Sequence, residues 1–184
     1  GTILDKNIHS SGASFPVADF QTPGVECEVC VKLGAALEPG KAPFNPSSVC
    51  DAVESAMIGI EIINNRYGDP KAAGAPTLIA DDVFQHGAVF GSPVSEWRSL
   101  DFAAAKGKVR VDGSVIAEGE GAGVMGNPIN ALAWFGNHMA ERGVTVHAGM
   151  VVMMGSLVPP QWLEGPSAVE IEIDGLGTAA ASCF

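Results

Sequence analysis

Positive charge is scarce in this chain. Of its 184 residues, 10 are Lys or Arg against 21 Asp or Glu, for a formal net charge of -11. Phosphate backbones and anionic bilayers would be repelled, and counterion release would supply no affinity, so neither nucleic acid nor membrane is expected as a partner. Long apolar runs are also missing. The best candidate, Ala56 to Ile63, is interrupted by Glu61 and falls well short of the roughly 18–20 residues that cross a bilayer. The first ten residues carry Asp5, Lys6 and His9 with neither a basic start nor an apolar stretch, so no signal peptide is visible and a cytoplasmic location is expected. Cysteine is sparse: Cys27, Cys30, Cys50 and Cys183 are too few and too scattered for a disulfide scaffold, and reduced thiols are expected. The four histidines show no HExxH spacing and no GxSxG elbow occurs, which removes the residues of zinc proteolysis and serine hydrolysis.

What is present is a foldable chain, 47% hydrophobic and 17% charged, of a length that suits one folding unit. Gly1 to Gly24 reads as mainly irregular, with a short strand at Thr2 to Leu4. Val25 to Leu33 alternates, with Val25, Cys27, Val29 and Val31 on one face and Glu26, Glu28 and Cys30 on the other, the period of a strand. Asn45, Pro46 and Ser47 start a short helix through about Ala56, and Met57 to Asn64 follows as a buried strand. Arg66 to Pro76 reads as a loop and Gly87 to Gly91 as a short strand. Asp112-Gly113 between Val-rich runs predicts a hairpin over Lys106 to Ala117. Asn127-Pro128 caps a helix over Ile129 to Glu141, with Leu132, Phe135 and Met139 on one stripe and Gly143 as its stop. Met150 to Met154, Ala168 to Asp174 and Thr178 to Cys183 complete a β-rich chain without internal repeats.

Two motifs fail on their context. Cys27 and Cys30 are three apart on a strand, point to opposite faces and have no second pair, so packing is preferred to a metal or redox role. Gly121 to Gly126 has the spacing of a dinucleotide fingerprint but follows an antiparallel hairpin, with no βαβ unit, and no acidic residue about 20 positions on. A loop near a ligand or a close-packed turn fits it better.

The informative residues are carboxylates. Glu26 and Glu28 share a strand face at a separation of about 6.6 Å, which one cation with ligand distances near 2.0–2.1 Å can bridge. Glu61 lies inside the most apolar strand, where an unpaired charge costs several kcal/mol or stays protonated. A solvated face and a chelating pair both account for Glu26 and Glu28, and the buried Glu61 brings the two readings level. All-oxygen ligation favours Mg²⁺ or Mn²⁺ over zinc.

The order of several motifs resembles the fumarylacetoacetate hydrolase superfamily, in particular its 2-keto-4-pentenoate hydratase and 2-oxo-3-hexenedioate decarboxylase branch. Gly1-Thr-Ile-Leu-Asp5, Val25-Glu26-Cys27-Glu28, Gly59-Ile60-Glu61-Ile62 and Ala80-Asp81-Asp82 are similar to successive family segments. So are Gly126 to Trp134, Met154-Gly-Ser-Leu157 and Ile173 to Gly177. The resemblance implies an α+β, β-rich fold, a mixed β-roll with a few short helices. It implies Mg²⁺ or Mn²⁺ held by Glu26, Glu28 and Glu61, with Asp81 orienting water or substrate and Asp5, Ser156 and Leu157 at the substrate. The implied substrate is a small 2-oxo or 2-hydroxydienoic acid bound through its carboxylate and C2 oxygen. The implied reaction is hydration of 2-hydroxypenta-2,4-dienoate to 4-hydroxy-2-oxopentanoate, with 2-oxo-3-hexenedioate decarboxylation as the alternative and a homo-oligomer as the assembly.

The chain departs from the family in three places. It begins after a segment that in the family carries an active-site lysine, so a further chain supplying that segment, or a catalytically silent structural subunit, is a competing expectation. Asp82-Val83-Phe84 stands where the family continues Asn-Ala-Ser, and Val158 to Trp162 differs from the usual pocket loop.

Overall fold

Alternating residues build two sheets whose inner faces supply one continuous apolar core. The computed structural model describes all 184 residues. The first sheet has the order β1(Ile8–Ser10), β5(Gln85–Phe90), β4(Val53–Asn64), β3(Pro23–Leu33), β8(Val151–Ser156), with the two-residue β9(Gln161–Trp162) also pairing with β3. The second has the order β2(Ala13–Phe15), β11(Gly177–Cys183), β10(Ser167–Ile173), β6(Lys106–Val111), β7(Ser114–Glu120). All pairings are antiparallel except β1 with β5 and β2 with β11. Ile8 to Phe15 thus laces the edge of one sheet to the edge of the other.

Between the sheets, Val25, Cys27, Val29 and Val31 of β3 and Ile58, Ile60 and Ile62 of β4 share a core with Val109, Val169, Ile171, Ile173, Ala179 and Ala181 of the second sheet. Each of these is buried. At about 25 cal/mol per Å² of apolar area removed from water, this layer is the dominant stabilising term. α3(Pro128–Glu141) covers one end, burying Ile129, Leu132, Ala133 and Gly136, with Phe135 and Met139 partly buried against the core. Its Asn127 side chain accepts from the Ile129 N–H, and Gly143 leaves the helix at φ +68°.

The hairpin forms as the sequence predicts, with Asp112 at φ +50° and Gly113 at +81°. Other expectations shift. The helix after Asn45, α1(Pro46–Cys50), stops at Cys50, and β4 begins at Val53, four residues earlier than expected, because Val53 and Ser55 are buried in the sheet. Thr2 to Leu4 is not a strand; the N-terminal strands are β1 and β2. Pro70 to Ala80 is α2, although the sequence reads as a loop as far as Pro76: Asp69 caps the helix by accepting from the Lys71 and Ala72 N–H groups, and Pro70 sits at its first position. Gly74, at φ +76°, kinks it, which is why no helical period is visible in the sequence.

Candidate metal centre

The outer face of the first sheet carries the carboxylates. Glu26 on β3 is the direct cross-strand partner of Glu61 on β4, and Glu28 is the partner of Gly59. The antiparallel register therefore puts all three acids on one face, and their nearest oxygens lie within 4.8 Å of one another. Glu28 is buried and the other two are partly buried. Strand pairing and side-chain alternation suffice to assemble the cluster.

Backbone details fix it. β8 carries an irregularity opposite β3, where the register jumps between Glu28 opposite Ser156 and Cys30 opposite Met153. Ser156 Oγ accepts from the Cys27 N–H at 3.0 Å, and the Gly155 N–H, freed from the ladder, donates to Glu28 Oε2 at 2.7 Å. Gly155 takes φ +110°, a conformation that favours glycine. Gly59 leaves room for Cys30 Sγ, which would collide with a Cβ at that position, and for Met153 Cε, 3.1 Å from it.

Without a counter-ion the cluster holds protons. Burial, then the charges of Glu28 and Glu26, push Glu61 up to about 9. Burial pushes Glu28 up to about 7 against the opposing Gly155 hydrogen bond. Glu26 is also raised by burial, opposed by a hydrogen bond with Glu61. Three oxygens converging at this separation, each poorly solvated, suit a hard divalent cation, whose bonds of about 2.0–2.6 Å place ligands roughly 3–5 Å apart.

The remaining predicted site residues are dispersed. Asp81 caps the C-terminus of α2, and both its oxygens accept from Arg66, Nε to Oδ1 at 2.9 Å and Nη2 to Oδ2 at 2.7 Å, which lowers its pKa. Asp5 is exposed in a single 3-10 turn (Asp5–Asn7) packed on β5 near Gly87. The Ser156 hydroxyl is engaged with the backbone of Cys27. Leu157 points away from the carboxylates, into the inter-sheet core against Gly107. Cys27 and Cys30 are buried on opposite faces, and burial raises both thiols, Cys27 to about 12, so they pack as expected. Gly121 belongs to a close-packed turn, where a Cβ would meet the Phe102 carbonyl.

Sequence reasoning missed Arg66. Besides gripping Asp81, it donates to the Asp81 carbonyl at 3.0 Å and the Gln85 carbonyl at 3.3 Å, closing the ends of an unusual turn. Within that turn Asp82, Val83 and Phe84 all have positive φ, at 60°, 51° and 69°. The Val83 N–H reaches the Leu78 carbonyl and the Asp82 N–H reaches Ile79, a Schellman closure with Asp82 in the place usually taken by glycine. Nothing in the sequence signals it, because glycine is absent from the turn.

The profile described as Fumarylacetoacetate (FAA) hydrolase C-terminal matches residues 6–183. The chain belongs to this family, and within it to the branch of hydratases and decarboxylases. It is 30% identical over 182 residues to a 2-keto-4-pentenoate hydratase of Burkholderia vietnamiensis, covering 99% of this chain and 68% of that one. It is 30% identical over 174 residues to a 4-oxalocrotonate decarboxylase of a Pseudomonas species, covering 93% and 64%. The chain thus spans about two thirds of the length of these curated relatives. The fold matches a 4-oxalocrotonate decarboxylase from Pseudomonas putida complexed with magnesium and adipate, with a TM-score of 0.88 at 24% identity over 98% of this chain and 67% of that one. The mixed β-roll expected from the sequence is the fold observed.

Proposed function

We propose that this chain is a divalent-metal-dependent lyase of 2-hydroxydienoic and 2-oxo acids, with hydration of 2-hydroxypenta-2,4-dienoate to 4-hydroxy-2-oxopentanoate as its reaction. The convergence of Glu26, Glu28 and Glu61 on one sheet face carries this reading. These residues would hold Mg²⁺ or Mn²⁺. The bound ion supplies Lewis-acid stabilisation of negative charge developing on the substrate's C2 oxygen. Glu28, fixed by the Gly155 N–H, sets the direction of the ligand set, while Glu26 and Glu61 close it from adjacent strands. Ser156 acts as a positioning residue, because its hydroxyl completes the Cys27 ladder position and so releases the Gly155 N–H. Leu157 anchors the same segment in the core. Asp81 acts through Arg66, whose grip shapes the turn at Asp82 to Phe84. A homo-oligomer is the expected assembly.

The decarboxylase relative supports a second reading, loss of CO₂ from 2-oxo-3-hexenedioate. Loss of dienoate absorbance by the purified chain with Mg²⁺ or Mn²⁺ tests the first. A Glu26→Ala variant that kept full metal-dependent turnover would overturn the ligand assignment, and faster CO₂ release than hydration would favour the second reading.

A further inference from the structure

The next pair along the carboxylate face is apolar. Gly24 and Ile63 are cross-strand partners immediately beyond Glu26 and Glu61, about 6.8 Å along the strands. Gly24 has no side chain because the Trp162 indole lies on it: a Cβ there would sit 2.6 Å from Trp162 Cε3 and 3.0 Å from Ile63 Cγ1. Phe84 meets Trp162 edge to face, with ring centroids 5.8 Å apart at 89°, and Tyr67 continues the row at 6.3 Å from Phe84. Trp162 remains 40% exposed, so the wall is open to a ligand. The clamp of Arg66 on Asp81 and Gln85, together with the Asn64 N–H donating to the Phe84 carbonyl at 2.8 Å, holds Phe84 in place.

The guanidinium beside this wall is already engaged. Arg66 presents its paired N–H groups to Asp81. Lys32, on the same strand face as the acids, is at the far end of β3 and paired with Glu54 at 3.0 Å. A ligand whose oxo-acid end is held at the carboxylate cluster therefore meets aromatic surface at its other end. A second carboxylate set against these rings would give up water for apolar contact, whereas an apolar group would gain buried area and ring contacts.

We infer that Trp162 and Phe84 are specificity-determining residues that select monocarboxylate 2-oxo or 2-hydroxydienoic acids with an uncharged, preferably aromatic, far end over dicarboxylates. This rests on the metal-chelate reading above. Calorimetry on the Mn²⁺-loaded chain tests it with three stable probes: pyruvate, 2-oxo-4-phenylbutanoate and 2-oxoadipate. The phenyl acid should bind at least tenfold more tightly than 2-oxoadipate. Phe84→Asn, chosen because Asn tolerates positive φ, and Trp162→Leu should each reduce that ratio at least threefold. Equal affinities, a preference for 2-oxoadipate, or an unchanged ratio in both variants would mean that protein rather than ligand covers the wall, and would overturn the inference. Failure of pyruvate itself to bind would overturn the chelate reading and this inference with it; pyruvate binding without the phenyl preference would overturn this inference alone.

Discussion

Glu26 and Glu61 face each other directly across the β3–β4 ladder, a pairing of like charges that repels unless a proton or a cation lies between them. Glu28 completes the set from the same face.

Metal-free protein should therefore lose stability as pH rises. The folded-state values of Glu28, about 7, and Glu61, about 9, lie above the ordinary 4.5, so from about pH 4.5 upward the folded chain holds protons the unfolded chain has released. Stability falls through that window and levels off above about pH 9. A tenfold difference in proton affinity between the folded and unfolded chain is worth about 1.4 kcal/mol, so the fall is large enough to read in an unfolding curve. Urea unfolding in chelator between pH 5 and 9 measures it, and saturating Mg²⁺ or Mn²⁺ should flatten the slope while releasing protons. A flat profile without metal would contradict the clustering.

Glu61→Gln separates charge from shape. The neutral side chain removes the cost of holding on Glu61 a proton that the unfolded chain has released, so the metal-free variant should be about 1–2 kcal/mol more stable than the parent at pH 8. It should also lose the rise in melting temperature that metal confers on the parent. Thermal unfolding with and without Mn²⁺ reads both effects; a variant that kept the full metal-induced rise would remove Glu61 from the ligand set.

Gly59→Ala drives a methyl group into Cys30 Sγ and Met153 Cε. Overpacking of this kind costs about 1–3 kcal/mol. Metal affinity should fall as well, because Gly59 lies opposite Glu28. Adding Cys30→Ala should restore part of both losses. If the double variant is no better than the single one, close packing is not why glycine occupies this position.

Val83→Gly should stabilise the fold. Val83 is 49% exposed, so little burial is lost, and a β-branched residue at φ +51° bears a steric penalty of roughly 1–2 kcal/mol. A rise in melting temperature is expected, reduced somewhat by the greater freedom of glycine in the unfolded chain. Asp81→Asn should act in the opposite direction by weakening the two-pronged grip of Arg66, costing about 1–2 kcal/mol. No change in either variant would mean that the turn is not under strain.

Strand β3 was legible in the sequence because its alternation is strict and its two faces differ in chemistry. Glu61 was legible because a carboxylate interrupts a run of isoleucines. Helix α2 was obscured by Gly74 and Pro76, which break its period even though Asp69-Pro70 is a sound helix start. The Arg66–Asp81 grip and the Gly155 hydrogen bond to Glu28 join residues that are 15 and 127 positions apart, and each depends on backbone geometry that no local pattern encodes. The run of positive φ at Asp82 to Phe84 runs against residue preference and is held by contacts from outside the turn.

The first sheet is a two-sided slab whose inner side is fused to the second sheet by hydrocarbon and whose outer side bears the acids. Trp162 and Phe84 belong instead to a two-residue strand and a helix-to-strand connection at the slab's margin. The carboxylate cluster and the aromatic rings therefore reside in separately mutable parts of the chain. A lineage can redraw the margin and inherit the slab intact, which gives a physical route by which relatives about equally distant from this chain came to bear the names of different reactions.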